Sequence, residues 1–134
     1  MLWLTTDAAV DRARQITGLG FFIQDHDRPE MAVRWQQQVP YTDNHHAEFA
    51  AVLAGLTYLA QHWPLATSAV ILQTDSQLVA QALTKRYAKH YDTELKQILA
   101  VSDQCQLFIV KQITDRQNTT AHHLARQAIY GSQA

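Results

Sequence analysis

Ala69-Val70-Ile71-Leu72 is a continuous apolar run of strand length. It ends at Asp75, and Leu78, Val79, Ala82 and Leu83 then recur at helical spacing. A strand apolar at consecutive positions is expected to be buried on both faces. This strand–turn–helix unit therefore points to a sheet with a parallel part and helices packed on its faces.

The flanking segments fit that frame. Leu2-Trp3-Leu4-Thr5-Thr6 is a short β-prone strand ending at Asp7. A polar stretch from Asp11 to Thr17 follows. Gly18 and Gly20 then bracket Leu19, and Phe21-Phe22-Ile23 forms a second strand. Asp25 to Pro29 reads as a turn, and Met31 to Val39 as a third strand in an antiparallel meander. The period then changes. Phe49, Val52, Leu53, Leu56, Ala60 and Trp63 form one helical stripe, on a helix running from Asn44 to just before Pro64. Leu95, Ile98 and Leu99 predict a further helix, and Leu107 to Val110 a fifth strand. A last helix starts near Asn118 and carries Ala121, Leu124, Ala125 and Ala128 on one face. The order is β-β-β-α-β-α-α-β-α, a mixed α/β class, in one domain over residues 1–134.

Charge narrows the function. Eleven Lys and Arg stand against twelve Asp and Glu, a formal charge of -1. That excludes binding nucleic acid mainly through a strong basic field, but not through a local basic groove. Cys105 is the one cysteine, so no intrachain disulfide or Cys-rich zinc site forms. The start does not read as a signal peptide, and no apolar run reaches membrane-spanning length. The expected location is the cytoplasm.

Asp7 and Asp75 each follow a predicted strand. In open α/β sheets, sites form beyond the carboxyl ends of parallel strands. If strands one and four are parallel neighbours, both aspartates emerge at one rim. Glu48 lies in the first turn of the long helix. With Phe49 at zero, it falls at about -100°, on the flank of a stripe spanning roughly -60° to +40°. Three converging carboxylates repel one another and are costly to desolvate, a conflict that a divalent cation resolves. Oxygen-only ligands suit Mg²⁺ or Mn²⁺, and paired Mg²⁺ ions serve phosphodiester hydrolysis. Each residue also has an ordinary structural role open to it: Asp75 as a helix N-cap, Glu48 as a complement to the helix dipole, Asp7 as a loop residue.

Several segments then fall into a familiar order: Thr6-Asp7-Ala8-Ala9, Gly18-Leu19-Gly20-Phe21, Ala47-Glu48-Phe49 with Leu53 and Gly55-Leu56, Thr74-Asp75-Ser76-Gln77-Leu78-Val79, and Arg116-Gln117-Asn118 with Ala121, Leu124 and Ala125. Through them the chain resembles the type 1 ribonuclease H family over nearly its whole length. The resemblance implies a mixed five-stranded sheet, its first three strands antiparallel, with helices on both faces. It implies a metal-dependent endoribonuclease that hydrolyses the RNA strand of RNA–DNA hybrids with two Mg²⁺ or Mn²⁺ ions. Neither a membrane nor an obligate protein partner is implied. Carried over, Asp7, Glu48 and Asp75 hold the metals. Asn44 and Gln77 match positions that contact the hybrid in its minor groove, where the 2′-OH distinguishes RNA from DNA.

The fourth acidic position departs from the family's Asn-x-x-Ala-Asp-x-Leu-Ala pattern. Here that stretch reads Asn118-Thr119-Thr120-Ala121-His122-His123-Leu124-Ala125. His122, at about +100° from Ala121, flanks the buried stripe, while His123 faces away. His122 has three readings: a ligand to a transition ion, a group that orients water or shuttles a proton, or the mark of a site with one metal and much activity lost. The alternative function is therefore a catalytically weakened or inactive nucleic-acid-binding module. A scaffold domain with no nucleic-acid role is a third reading. Ala8 replaces a usual glycine, and Asp43 and His45 flank Asn44. The loop Thr114-Asp115-Arg116-Gln117 lacks the family's relay histidine, and Arg116 reads as a phosphate contact. The basic patch Lys85 to His90, with Tyr87 and Tyr91, is either a substrate-handling protrusion or a solvated loop.

Overall fold

A computed structural model describes residues 1–131. Its five strands are β1 (Leu2–Asp11), β2 (Ile16–Asp25), β3 (Val33–Pro40), β4 (Ala69–Thr74) and β5 (Leu107–Gln112), in the spatial order β3-β2-β1-β4-β5. β1, β2 and β3 pair antiparallel, and β4 pairs in parallel with both β1 and β5. The helices are α1 (Asn44–His62), α2 (Gln77–Lys85), α3 (Asp92–Ser102) and α4 (Thr119–Tyr130). The expected element order and mixed sheet are present.

Alternation along β2 sorts these elements into layers, because successive side chains of a strand point to opposite faces. Phe21 and Ile23 join Leu2, Leu4, Val70 and Leu72 in the main core, under Phe49, Val52 and Leu56 of α1. On the other face, Gly18 and Gly20 present bare backbone to α4. A Cβ at Gly18 would stand 2.1 Å from the Ala125 carbonyl oxygen, and one at Gly20 would stand 2.7 Å from the Ala121 carbonyl oxygen. Ala121 and Ala125 are themselves small and fully buried. The α4 backbone therefore lies directly on β2, closer than any side chain would permit.

Three expectations are corrected. First, β1 does not end at Asp7 but runs on to Asp11, because β2 continues to pair with it through Asp11↔Ile16. Second, β4 is not buried on both faces. Val70, Leu72 and Thr74 are buried, while Ala69, Ile71 and Gln73 are half-exposed, since α4 lies over β1, β2 and β3. Third, the α1 stripe is misphased: Ala60 is exposed, and Leu59 is buried in its place. The covered arc includes Ala51, Gly55 and Glu48, and with Phe49 at zero it extends to about -160°. Small residues widen it. A Cβ on Gly55 would stand 2.6 Å from a Leu4 methyl, so α1 sits low on β1 at this point.

The ends of α1 are well anchored. Asp43 is the N-cap, accepting the His46 N–H at 3.0 Å. Trp63 is the C-cap, as its place before Pro64 suggested, and its indole N–H donates to buried Asp25 at 3.1 Å.

Candidate active site

The parallel pairing of β1 with β4 stops at Thr5↔Gln73, while β1 continues along β2. Asp7 therefore stands just past the parallel pair, opposite Gly20. Asp75 follows the last residue of β4. It is not the helix cap, because Ser76 takes that role and accepts the Val79 N–H at 3.2 Å. The Asp75 carboxylate is thus left for other work. Glu48 lies in the second turn of α1, so the dipole role falls away. It sits within the covered arc rather than on its flank, only 7% exposed.

Oxygens of Asp7, Glu48 and Asp75 lie within 4.8 Å of one another. Glu48 Oε2 is buried without a hydrogen-bond partner. Burial, and then the charges of Asp7, Asp75 and Asp115, push the Glu48 carboxyl up to about 9. Burial and the neighbouring Asp75 raise Asp7 to about 6, against the pull of the Ala8 N–H and His122. Burial also raises Asp75, partly offset by the Asn118 side chain. A low-dielectric pocket disfavours the charged form of an acid, and like charges compound the effect. The group is acidic, oxygen-only and short of positive charge, as an Mg²⁺ or Mn²⁺ site requires.

α4 delivers His122 to this group. Ala121 rests on Gly20, Gly20 pairs with Asp7, and the next residue of α4 meets Asp7. His122 Nδ1 is 2.9 Å from Asp7 Oδ2. When Asp7 is ionised its carboxylate only accepts, and Nδ1 is then the donor of this hydrogen bond. His122 is outside the three-carboxylate group, and Asp7 is the acid it touches. His123 faces outward and bonds Gln127, as the helical phase predicted.

Asn118 is a strut that sequence reasoning missed. It is 1% exposed, and its Nδ2 donates to the Thr6 carbonyl at 3.0 Å and to Asp75 Oδ2 at 3.1 Å. It was visible only as a motif position before the last helix. Asp115, in the loop after β5, was also missed.

A cavity of about 870 Å³ brings these groups together, lined by Asp7, Glu48, Asp75, His122, Asn44 and Gln77. Asp115 and His45 line it as well. Asn44 and Gln77 are the first residues of α1 and α2. Arg116 is exposed on the β5–α4 loop, outside the lining. The basic patch is a short connection between α2 and α3, not a helical protrusion. Arg86 is held by a bidentate pair with Asp103 at 2.9 and 2.8 Å, and Tyr91 stacks on Phe49. Tyr87 remains exposed.

The reverse transcriptase-like family matches residues 5–128. "Putative hydrolase EbsB" of Enterococcus faecalis is 28% identical over 132 residues, spanning 96% of this chain and 94% of that protein. Among solved structures, the chain is similar to RNase H1 from Halobacterium salinarum, with a TM-score of 0.81 and 20% identity over 98% of each chain. It is also similar to LC11-RNase H1, isolated from compost and solved in complex with an RNA/DNA hybrid, with a TM-score of 0.84 and 18% identity over 100% of each chain. At these identities the structural likeness is one of fold.

Proposed function

The chain belongs to the reverse transcriptase-like family and has the fold of type 1 ribonuclease H, and from that premise we propose that it is a metal-dependent endoribonuclease cutting the RNA strand of RNA–DNA hybrids. The observation that carries this reading is Glu48, which has a buried, unpartnered Oε2 and shares with Asp7 and Asp75 a group of oxygens within 4.8 Å of one another. Such a carboxylate is costly unless a cation meets it. Asp7, Glu48 and Asp75 are the ligands of that cation, Mg²⁺ or Mn²⁺. When bound, paired cations supply an activated water and neutralise charge at the scissile phosphate.

The chain's own residues do the rest. His122 fixes the orientation of Asp7 through Nδ1, and its Nε2 is the atom left to take a proton or an ion. The ring is half-exposed. Asn118 holds Asp75 in place. Asn44 and Gln77, which line the cavity, contact the minor groove, where the 2′-OH marks the RNA strand. Arg116 meets a phosphate at the rim. No helix among the described residues is long and apolar enough to cross a membrane. We place the protein in the cytoplasm, where a free Cys105 is at home.

The His122–Asp7 hydrogen bond favours a second reading, a hybrid-binding module with little or no turnover, because Asp7 already has a partner. Cleavage of a labelled hybrid in Mg²⁺ and in Mn²⁺ separates the two, with His122→Asp as the comparison. The enzyme reading expects Mn²⁺-supported cleavage by the natural protein and a gain in Mg²⁺ for the variant. Salt-sensitive hybrid binding without cleavage in either metal selects the module. Absence of both binding and cleavage refutes both readings.

A further inference from the structure

The residue on α4 that faces the carboxylates is a histidine, so α4 contributes no negative charge to the site. Another element does. Asp115, on the loop between β5 and α4, lines the same cavity as Asp7, Glu48, Asp75 and His122. None of the ion pairs among the described residues uses it.

Its loop is held in place. The Thr114 N–H donates to the Gln117 side chain at 2.9 Å, and the Gln117 N–H returns to Thr114 Oγ1 at 3.3 Å. The Asn118 N–H donates to the carbonyls of Thr114 and Asp115, both at 3.2 Å. The Asn118 side chain then ties the same turn to Thr6 and Asp75. The backbone of Asp115 is therefore held by the same residue that holds the Asp75 carboxylate.

The geometry points to Asp115 as the fourth acidic group of the cation site, supplied from the β5–α4 loop in place of His122 on α4. This rests on the reading of Asp7, Glu48 and Asp75 as cation ligands. An independent sign that the cavity takes a ligand is Glu48, which lines it, is only 7% exposed and has its Oε2 buried without a hydrogen-bond partner. Asp115 stands outside the group whose oxygens lie within 4.8 Å of one another. It therefore acts on the cation's coordinated waters rather than on the ion itself. Mg²⁺ keeps several of its waters, which gives such a carboxylate something to hold. Beside burial, its charge helps to raise the Glu48 and Asp75 carboxyls in the metal-free chain, and the same charge favours a cation there.

Calorimetric titration of the full chain with Mn²⁺ and with Mg²⁺, in the absence of nucleic acid, tests this. Outer-shell partners of a metal site are worth about 10- to 100-fold in affinity. Asp115→Asn is expected to weaken Mn²⁺ binding at the low end of that range, with Asp115→Glu retaining most of it. Thermal unfolding of the metal-free proteins serves as the folding control, and removing a like charge is expected to leave it unchanged or slightly raised. Mn²⁺ affinity within twofold of the natural protein in Asp115→Asn overturns this inference alone. Equal weakening in Asp115→Glu and Asp115→Asn also overturns it, because charge would then not matter. No Mn²⁺ binding by the natural protein overturns the cation-site reading itself, and this inference with it.

Discussion

Replacing Glu48 with Gln is expected to stabilise the metal-free protein, by an amount that grows with pH. In the folded chain the Glu48 carboxyl is raised from its usual 4.5 to about 9. Between those values it keeps its proton when folded and loses it when unfolded. The native state then binds more protons, so stability falls as pH rises through this window, by about 1.4 kcal/mol per unit. The uncharged amide of Glu48→Gln has no such linkage. The variant should match the natural protein near pH 4.5 and exceed it by about 3 kcal/mol at pH 7. For a chain of this size that is a gain of roughly 10 °C in melting temperature. Saturating Mn²⁺ reverses the order of benefit. It stabilises the natural protein, by about 2.7 kcal/mol at a hundredfold excess over Kd, and does little for the variant. Urea titrations at pH 4.5, 6, 7 and 8, with and without Mn²⁺, measure both effects. A difference between the proteins that does not change with pH would refute the assignment of Glu48 as a buried, protonated carboxyl.

Two further outcomes follow from the same geometry. Gly20→Ala places a methyl against the α4 backbone and is expected to cost roughly 3 kcal/mol, read by urea denaturation, as overpacking typically does. The His122 ring resonances should shift with it, and a loss under about 0.5 kcal/mol would show that α4 docks more loosely than described. Trp63→Phe removes the indole donor from buried Asp25, at a cost of about 1–3 kcal/mol. Burial alone would raise Asp25, but Trp63 and the N–H groups of Asp27 and Arg28 hold it below the usual range. The stability it contributes is present above the ordinary value of 3.8 and lost as pH falls further, so the acid-unfolding midpoint of Trp63→Phe should move upward.

Much of this arrangement was legible in the residues. The apolar run Ala69–Leu72 with its following helix located β4 and α2, and Pro64 located the end of α1. The expected meeting of Asp7 and Asp75 holds, although what stops just before Asp7 is the parallel pairing with β4 and not β1 itself, and helical phase separated His122 from His123. The misreadings on α1 share one physical cause. The α1 stripe was weighted toward large side chains, whereas Ala51 and Gly55 are buried because they are small, and the sheet and α3 cover a wide arc. Glu48 was consequently placed on a flank when it is in the covered face. β1 was cut short at Asp7 because hydrogen bonding to β2, not side-chain pattern, extends it. Asn118 acts through contacts that join residues far apart in the chain, as with Thr6 and Asp75, and no local pattern encodes such a contact.

The seating of α4 on bare glycine backbone makes position 122 an exchangeable fitting. The helix is docked by Gly18, Gly20, Ala121 and Ala125, none of which depends on what residue 122 carries. Its side chain is half in solvent and packs in no core. Chemistry at this place can therefore change from acid to base, or to nothing, while the scaffold holds its shape, and the fold alone does not reveal which chemistry a given chain has kept.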